Sequence, residues 1–167
     1  IFQSSDSGAT WQVLHSIMDS TIVIDVSTVD SLVFAGNYSG TIRSSDNGVT
    51  WASFPGFQNS LKSIISFGGY YFGASFRQGL FKSADGGLTW SRSDTGMAPA
   101  IDITKIIIRG TDLLASTENG IYISSDTGNT WNELNNGLPV NPYAQSIAAK
   151  SDTIVISINS SSTYYGN

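Results

Sequence analysis

The stretch Ser44–Trp51 reads SSDNGVTW, and the chain of 167 residues contains this eight-residue pattern four times. The other copies read SSDSGATW at 4–11, SADGGLTW at 83–90 and SSDTGNTW at 124–131. The aspartates of successive copies are 40, 39 and 41 residues apart. A nearly constant period of about 40 residues is typical of a protein that is built from repeated structural units. We call the four copies the signature loops.

Each repeat holds four short segments in which apolar and polar residues alternate, separated by turns rich in Gly, Asn and Asp. This pattern predicts four β-strands per repeat, which we label a to d, with strand d beginning at the signature Trp. Four strands in about 40 residues predict the blade of an all-β fold, the β-propeller. Strand a is the most apolar, as in Ile103–Ile108, and we expect it to be the inner strand of a sheet that is buried on both faces.

The repeat predicts a single β-propeller domain, or a segment of one, over residues 1–167. Both ends fall inside a repeat, so we expect a longer parent chain. A four-bladed ring that joins the two half-blades and a dimer that forms a larger ring are the alternatives. The predicted parts are a c–d half-blade at 1–15, complete blades at 21–54, 61–92 and 101–134, and an a–b half-blade at 143–159.

The conserved positions within the four signature loops have the chemistry of a tight turn between strands c and d. The Asp carboxylate can accept backbone N–H groups, the Gly tolerates a positive φ, the Thr suits a strand, and the Trp is expected to bury its ring. The remaining positions vary and are expected to tolerate change. The predicted structural residues are Asp6, Gly8, Thr10, Trp11, Asp46, Gly48, Thr50, Trp51, Asp85, Gly87, Thr89, Trp90, Asp126, Gly128, Thr130 and Trp131.

These loops resemble the Asp-box, or BNR, repeat of sialidases, other glycoside hydrolases, sortilin-type receptors and photosystem II assembly factors. The resemblance covers the whole chain, with four full matches. It implies a β-propeller in which the loops lie at the blade periphery, on the face opposite the usual active site. Because enzymes, receptors and assembly factors share the motif, the resemblance does not identify an activity.

The composition excludes several classes of function. Charged residues make up 13% of the chain, the net charge is −5, and the eight Lys and Arg residues are scattered, which argues against a nucleic-acid partner. No apolar run approaches the roughly 20 residues of a membrane helix, so we expect no membrane insertion. The chain has no Cys, which excludes disulfides and thiolate zinc sites. This composition favours a bacterial extracellular, cell-surface or periplasmic protein.

The sequence predicts neither a metal site nor a cofactor. A calcium site needs about six to eight converging oxygen ligands, whereas each signature loop offers one carboxylate. The only histidine, His15, has no nucleophile motif near it.

No complete catalytic site is evident either. A sialidase requires three arginines around a carboxylate, a Tyr nucleophile with a Glu partner, and an acid Asp, and two of the four arginines here lie on the outer strands c and d. Glycoside hydrolysis needs two paired carboxylates. Asp94, Asp102 and Glu118 lie near loops, but nothing in the sequence pairs them. We therefore predict no catalytic residue, and a non-enzyme is the favoured interpretation.

The loops opposite the signature loops are the predicted binding surface. Strands alternate in direction, so the d–a and b–c connections share this face. The d–a connections include Phe57, Met97, Pro139 and Pro142. Exposed aromatic residues with an arginine are typical of interfaces, and they could also stack on sugar rings. The candidate binding residues are Tyr38, Arg77, Glu118, Tyr143, Tyr164 and Tyr165.

The favoured function is a non-catalytic structural or interaction module of a secreted or cell-surface bacterial protein, with a protein or a glycan as partner. Self-association or continuation into further blades is also consistent with the repeat. The alternative is part of a carbohydrate-active propeller, that is, a glycoside hydrolase, a sialidase-like enzyme or a lectin.

Overall fold

The computed structural model describes residues 1–13, 23, 25–37, 40–53, 61–75, 77–99 and 101–159. These residues form sixteen β-strands and no helix, and hence no helix that could cross a membrane. The strands make five antiparallel sheets, and each sheet contains strands that are consecutive in the chain. Three sheets have four strands and two have two, as the repeat predicted.

The chain divides into two compact units, Ile1–Leu61 and Lys62–Asn167. The single domain expected over residues 1–167 stays a prediction. The first unit contains a two-stranded sheet of β1 (Phe2–Gln3) and β2 (Gln12–Val13). Its four-stranded sheet consists of β3 (Asp25–Val29), β4 (Leu32–Asn37), β5 (Gly40–Ser44) and β6 (Ala52–Ser53).

The second unit contains two four-stranded sheets and one two-stranded sheet. The first consists of β7 (Leu61–Phe67), whose first residue still belongs to the first unit, β8 (Tyr70–Ser75), β9 (Gly79–Ser83) and β10 (Ser91–Arg92). The second consists of β11 (Ile103–Arg109), β12 (Asp112–Thr117), β13 (Gly120–Ser124) and β14 (Asn132–Glu133). The last pair is β15 (Tyr143–Lys150) and β16 (Thr153–Asn159).

The middle sheet of the second unit is packed on both faces. Successive residues of a strand point to opposite faces, and β12 places Leu113 and Leu114 in two different buried clusters. One cluster joins this sheet to the β7–β10 sheet and includes Phe72, Leu80, Ile106 and Trp131. The other joins it to the β15–β16 sheet and includes Ile121, Ala144 and Ile147.

Within the four-stranded sheets, the middle strands b and c are more buried than the edge strand a. In β12, five of six residues are buried, whereas in the a strand β11 Lys105 and Ile108 are exposed. A middle strand has a neighbouring strand on each side, but β11 lies at the edge of its sheet.

All four signature loops close with the same set of hydrogen bonds. In the first loop, the Ser4 hydroxyl donates to the Asp6 Oδ1 at 2.8 Å and accepts the Gly8 N–H at 2.7 Å. The Thr10 N–H and hydroxyl donate to the two oxygens of Asp6 at 2.8 and 2.5 Å. The equivalent bonds in the other three loops differ by at most 0.1 Å. The first Ser of the signature is therefore as much a part of the turn as the Asp.

The backbone conformation at the fourth position of the signature restricts the choice of residue more than the sequence suggested. Ser7, Asn47, Gly86 and Thr127 occupy this position with φ of 59°, 59°, 71° and 59°, next to a Gly with φ between 76° and 90°. The turn thus places two consecutive residues in the left-handed region. A β-branched residue such as Thr127 is a genuine outlier there.

The signature tryptophans do not all bury their rings as predicted. Trp131 is 2% exposed, Trp51 and Trp90 are half-buried, and Trp11 is 63% exposed. The Trp131 indole reaches across to the preceding sheet and donates to the Ser93 carbonyl at 2.7 Å. The Trp51 and Trp90 indoles instead donate to the carbonyl of the Gly in their own loops.

We predict that Thr127→Asn raises the free energy of unfolding by about 1 kcal/mol, because a left-handed φ strains Asn less than it strains a β-branched residue. The reverse change at the equivalent position, Asn47→Thr, should destabilise by a similar amount. Urea unfolding of both variants measures the effect. A lower stability for Thr127→Asn would contradict this account of the turn.

We also predict a loss of stability in acid. Hydrogen bonds from the Thr hydroxyl, the Thr N–H and the Ser hydroxyl lower the pKa of the signature aspartates from 3.8 to about 2. A group whose pKa is lower in the folded state stabilises the fold above its unfolded pKa, and this contribution disappears as the pH falls from 3.8 to 2. The urea midpoint should decrease over this range. It should decrease less in a variant with Asn at all four positions, and an equal decrease would contradict the prediction.

Candidate functional site

Three of the six predicted binding residues come together in the second unit. Arg77 lies in the β8–β9 turn, Glu118 lies in the β12–β13 turn, and Tyr143 is the first residue of β15. Arg77 and Glu118 are close enough to Tyr143 for their charges to affect its phenol. The other three, Tyr38, Tyr164 and Tyr165, lie outside the described residues, as do His15 and Phe57.

These residues lie at the end of the sheets opposite the signature loops. Strand c begins at the b–c turn and ends at the signature loop, so the two turns are separated by the length of the strand. In the middle sheet, Thr117 pairs with Gly120 at one end of the b–c pair, and Leu113 pairs with Ser124 at the other. We call the residues Lys62, Arg77, Asp102, Glu118 and Tyr143 the central cluster.

An ion pair between neighbouring sheets forms the buried part of the central cluster. The Lys62 ammonium contacts both carboxylate oxygens of Asp102, at 2.8 and 2.9 Å. The side chains are 24% and 8% exposed, respectively. Lys62 comes from β7 and Asp102 immediately precedes β11, so the pair ties the starts of two a strands together. A buried carboxylate needs such a partner because its desolvation is costly.

Glu118 is held against the same segment by two hydrogen bonds. Its Oε1 accepts the Asp102 N–H at 3.1 Å, and its own N–H donates to the Asp102 carbonyl at 3.0 Å. The structure therefore brings Asp102 and Glu118 together, although the sequence did not pair them. Asp94 is engaged elsewhere, in an ion pair with Arg92 at 2.5 Å.

Tyr143 presents a phenol to this group of charges. Burial raises its pKa, and the carboxylates of Asp102 and Glu118 raise it further, while the Arg77 guanidinium opposes them. At neutral pH the phenol is therefore protonated, so it can donate a hydrogen bond.

Arg77 is exposed on a backbone that is unusual for its residue type. Its φ is 53°, and Gly79 follows with a φ of 85°, so the turn holds two residues in the left-handed region. Residues in such conformations occur often at binding and switch sites. The turn places the Arg77 cation near enough to Tyr143 to act on its phenol, an arrangement suited to the recognition of polar and charged groups.

The second unit contains a cleft of about 620 Å³. Its lining includes Asn119, which follows Glu118, and Pro142, which precedes Tyr143. Met97 and Pro139, both expected on the d–a connections of the binding face, lie in its walls. Tyr122 and Glu133 also line it, and the Tyr122 hydroxyl donates to the Glu133 Oε1 at 3.2 Å.

Neither Lys62 nor this cleft was predicted from the sequence. Lys62 and Asp102 are 40 residues apart, which is one repeat period, so the spacing of two opposite charges was the available signal. The described residues contain no group of three or more His, Asp or Glu placed to hold a metal ion.

We predict that Lys62→Met lowers the free energy of unfolding by about 2 kcal/mol, because it leaves the Asp102 carboxylate buried without its cation. The double variant Lys62→Met/Asp102→Leu should recover most of the loss, since neither charge then remains buried. Urea unfolding of the two single variants and the double variant measures the coupling. Additive losses would contradict the pairing.

Solved structures share this fold at low sequence identity. The chain matches YCF48 bound to D1 peptide with a TM-score of 0.66 and 14% identity, over 95% of this chain and 56% of that one. It matches an ancestral GH74 enzyme with a TM-score of 0.65 and 20% identity, over 78% of this chain and 20% of that one. A third match is the extracellular domain of a one-component system from B. thetaiotaomicron, with a TM-score of 0.64 and 16% identity, over 83% of this chain and 19% of that one.

The chain thus spans about a fifth of the GH74 enzyme and about half of YCF48. No curated protein sequence matches it. The sequence model of the DUF6242 beta propeller domain matches residues 36–161, which is most of the chain. Together with its four-stranded antiparallel sheets, this match confirms the predicted β-propeller: the chain belongs to the DUF6242 beta propeller domain family.

Proposed function

We propose that the chain is a non-catalytic interaction module that binds a protein segment at the end of its sheets opposite the signature loops. The observation that carries the proposal is the central cluster. It combines an exposed Arg77, the carboxylate of Glu118 and the phenol of Tyr143 on a base held rigid by the Lys62–Asp102 ion pair. Binding sites are commonly loops placed on a rigid scaffold.

A peptide ligand fits this chemistry because its backbone supplies both donors and acceptors. The Tyr143 hydroxyl can donate to a peptide carbonyl, and the Arg77 guanidinium can donate to a carbonyl or a carboxylate. The Glu118 carboxylate can accept an N–H. YCF48, which has the same fold, has been solved bound to the D1 peptide.

We further propose that the signature loops are Asp-boxes with a structural role. Their uniform hydrogen bonds engage both oxygens of every signature Asp within its own loop, which leaves those carboxylates little capacity for a ligand. The low charge and the richness in Ser, Thr, Asn and Gly support a place in a secreted or cell-surface bacterial protein.

The second candidate function is that the chain forms part of a carbohydrate-active propeller. The proximity of Asp102 and Glu118 and the shared fold of GH74 enzymes favour it. However, Asp102 binds Lys62 through both carboxylate oxygens and is 5% exposed, so it is poorly placed to exchange a proton with a substrate.

The test is selection of peptides from a random library, followed by measurement of Kd by fluorescence polarisation. We expect Arg77→Ala and Tyr143→Phe each to weaken binding at least tenfold. Lys150→Ala is the matched control, because it removes an exposed cation from the opposite end of β15. Equal losses for Arg77→Ala and Lys150→Ala would contradict the proposed face.

The same protein samples distinguish the carbohydrate-active candidate from the interaction module. Depolymerisation of xyloglucan by the wild-type chain, abolished by Glu118→Gln, would overturn the non-catalytic proposal. Retained peptide binding without polysaccharide hydrolysis would support it.

A further inference from the structure

The described residues that line the cleft supply one carboxylate and no cation. Among the described residues that line it, Glu133 is the only charged side chain. Its Oε1 accepts the hydroxyl of Tyr122, whereas its Oε2 has no hydrogen-bond partner among the described residues. A carboxylate oxygen that faces a cleft without a cation attracts a positively charged group.

Of the polar side chains Asn135 and Asn119 in the lining, the first is held by hydrogen bonds within the protein and the second is available to a ligand. The Asn135 side chain is held at both ends, because its Oδ1 accepts the Ile121 N–H at 2.8 Å and its Nδ2 donates to the Asn119 carbonyl at 3.0 Å. The Asn119 side chain is exposed and makes no hydrogen bond with the described residues. Its amide oxygen can therefore accept an N–H from a ligand.

Apolar residues form the remaining walls. Met97, Ala98, Pro139 and Pro142 line the cleft, and the ring of Tyr122 is 2% exposed and packed in the core below. A hydrocarbon stem that ends in a cation matches such a site, because Lys and Arg bury their stems on apolar surface and keep the charged head on polar groups. The volume of about 620 Å³ is within the range of ligand-binding clefts.

We propose that this cleft binds the basic side chain of a peptide, with the Glu133 carboxylate pairing with its charge and Met97 and Pro142 contacting its stem. The charge of −5 on the chain favours such a ligand over an acidic one. The peptide as the source of the side chain rests on the proposed function. Asn119 and Pro142, which line the cleft, are the chain neighbours of Glu118 and Tyr143, so a peptide that lies across the central cluster can insert one side chain here.

Two probes of the same shape, one charged and one neutral, test the site directly. N-acetyl-arginine methylamide is titrated into the labelled protein and followed by NMR, and N-acetyl-citrulline methylamide is the uncharged control. We expect saturable shifts of the Asn119 and Tyr122 amides with the arginine probe, and at least fivefold weaker effects with citrulline. Equal binding of the two probes, or no shift at these amides, would overturn the proposal.

Matched variants separate the cleft from the rest of the surface. Glu133→Gln keeps an acceptor for Tyr122 but removes the charge. It should weaken the binding of the arginine probe at least fivefold. Asp152→Asn, which removes an exposed carboxylate from the a–b turn at the opposite end, should leave it unchanged. Asn119→Ala is a second cleft variant, at an exposed turn position, and should also weaken the binding of the arginine probe.

Peptide selection then distinguishes the two proposals. Selected peptides should contain Lys or Arg at one position, and this preference should disappear in Glu133→Gln. Selected peptides without such a preference would overturn the cleft site while the proposed function stands. If no peptide binds but the arginine probe does, the cleft is supported and the proposed function fails.

Discussion

The hydrogen-bonded ring of Ser, Asp, Gly and Thr in each signature loop is the constraint on which the sheets of this protein depend. The turn from strand c to strand d must place two consecutive residues at positive φ, a conformation that is costly for most residues. The carboxylate of the Asp compensates by binding the Thr N–H and the Thr hydroxyl, and the Ser hydroxyl fixes the carboxylate from the other side. Because strand d has only two residues, this ring rather than the strand ladder determines where it pairs.

In the second unit, the fourth signature loop also joins two sheets. The Ser93 hydroxyl donates to the Gly128 carbonyl at 2.5 Å, and the Trp131 N–H donates to the Thr95 carbonyl at 2.9 Å. A side chain on Gly128 would collide with Phe72, and one on Gly96 would collide with the Trp131 carbonyl. Gly128 therefore serves two purposes, since it permits the turn and lets the loop approach the neighbouring sheet.

The sequence predicted the features that repeat and missed those that depend on one pair of sheets. The 40-residue period and the alternation within each segment were sufficient for the strands, their order within each sheet and the opposite placement of the loops. The burial of Trp131 but not Trp11 could not be predicted, because it depends on Ser93 and the sheet that precedes it.

The candidate site also combines residues that the sequence predicted with residues that it did not. Arg77, Glu118 and Tyr143 were recognisable as polar and aromatic residues on loops of one face. The Lys62–Asp102 pair and the cleft around Glu133 arise from the distance between neighbouring sheets, which no local pattern encodes. Among the described residues, the Lys62–Asp102 pair lies where a sheet meets its neighbour, and the Arg109–Asp112 pair spans the turn between β11 and β12.

Amide hydrogen exchange at Thr10, Thr50, Thr89 and Thr130, measured by NMR, tests the structural role of the signature loops most directly. All four residues are exposed, so in an ordinary surface loop their amides would exchange rapidly. In the structure each N–H is bonded to the Asp Oδ1 at 2.8 to 2.9 Å. We predict that all four exchange as slowly as amides paired within the sheets. Exchange at the rate of unprotected loop amides would contradict the central claim that these loops hold the fold.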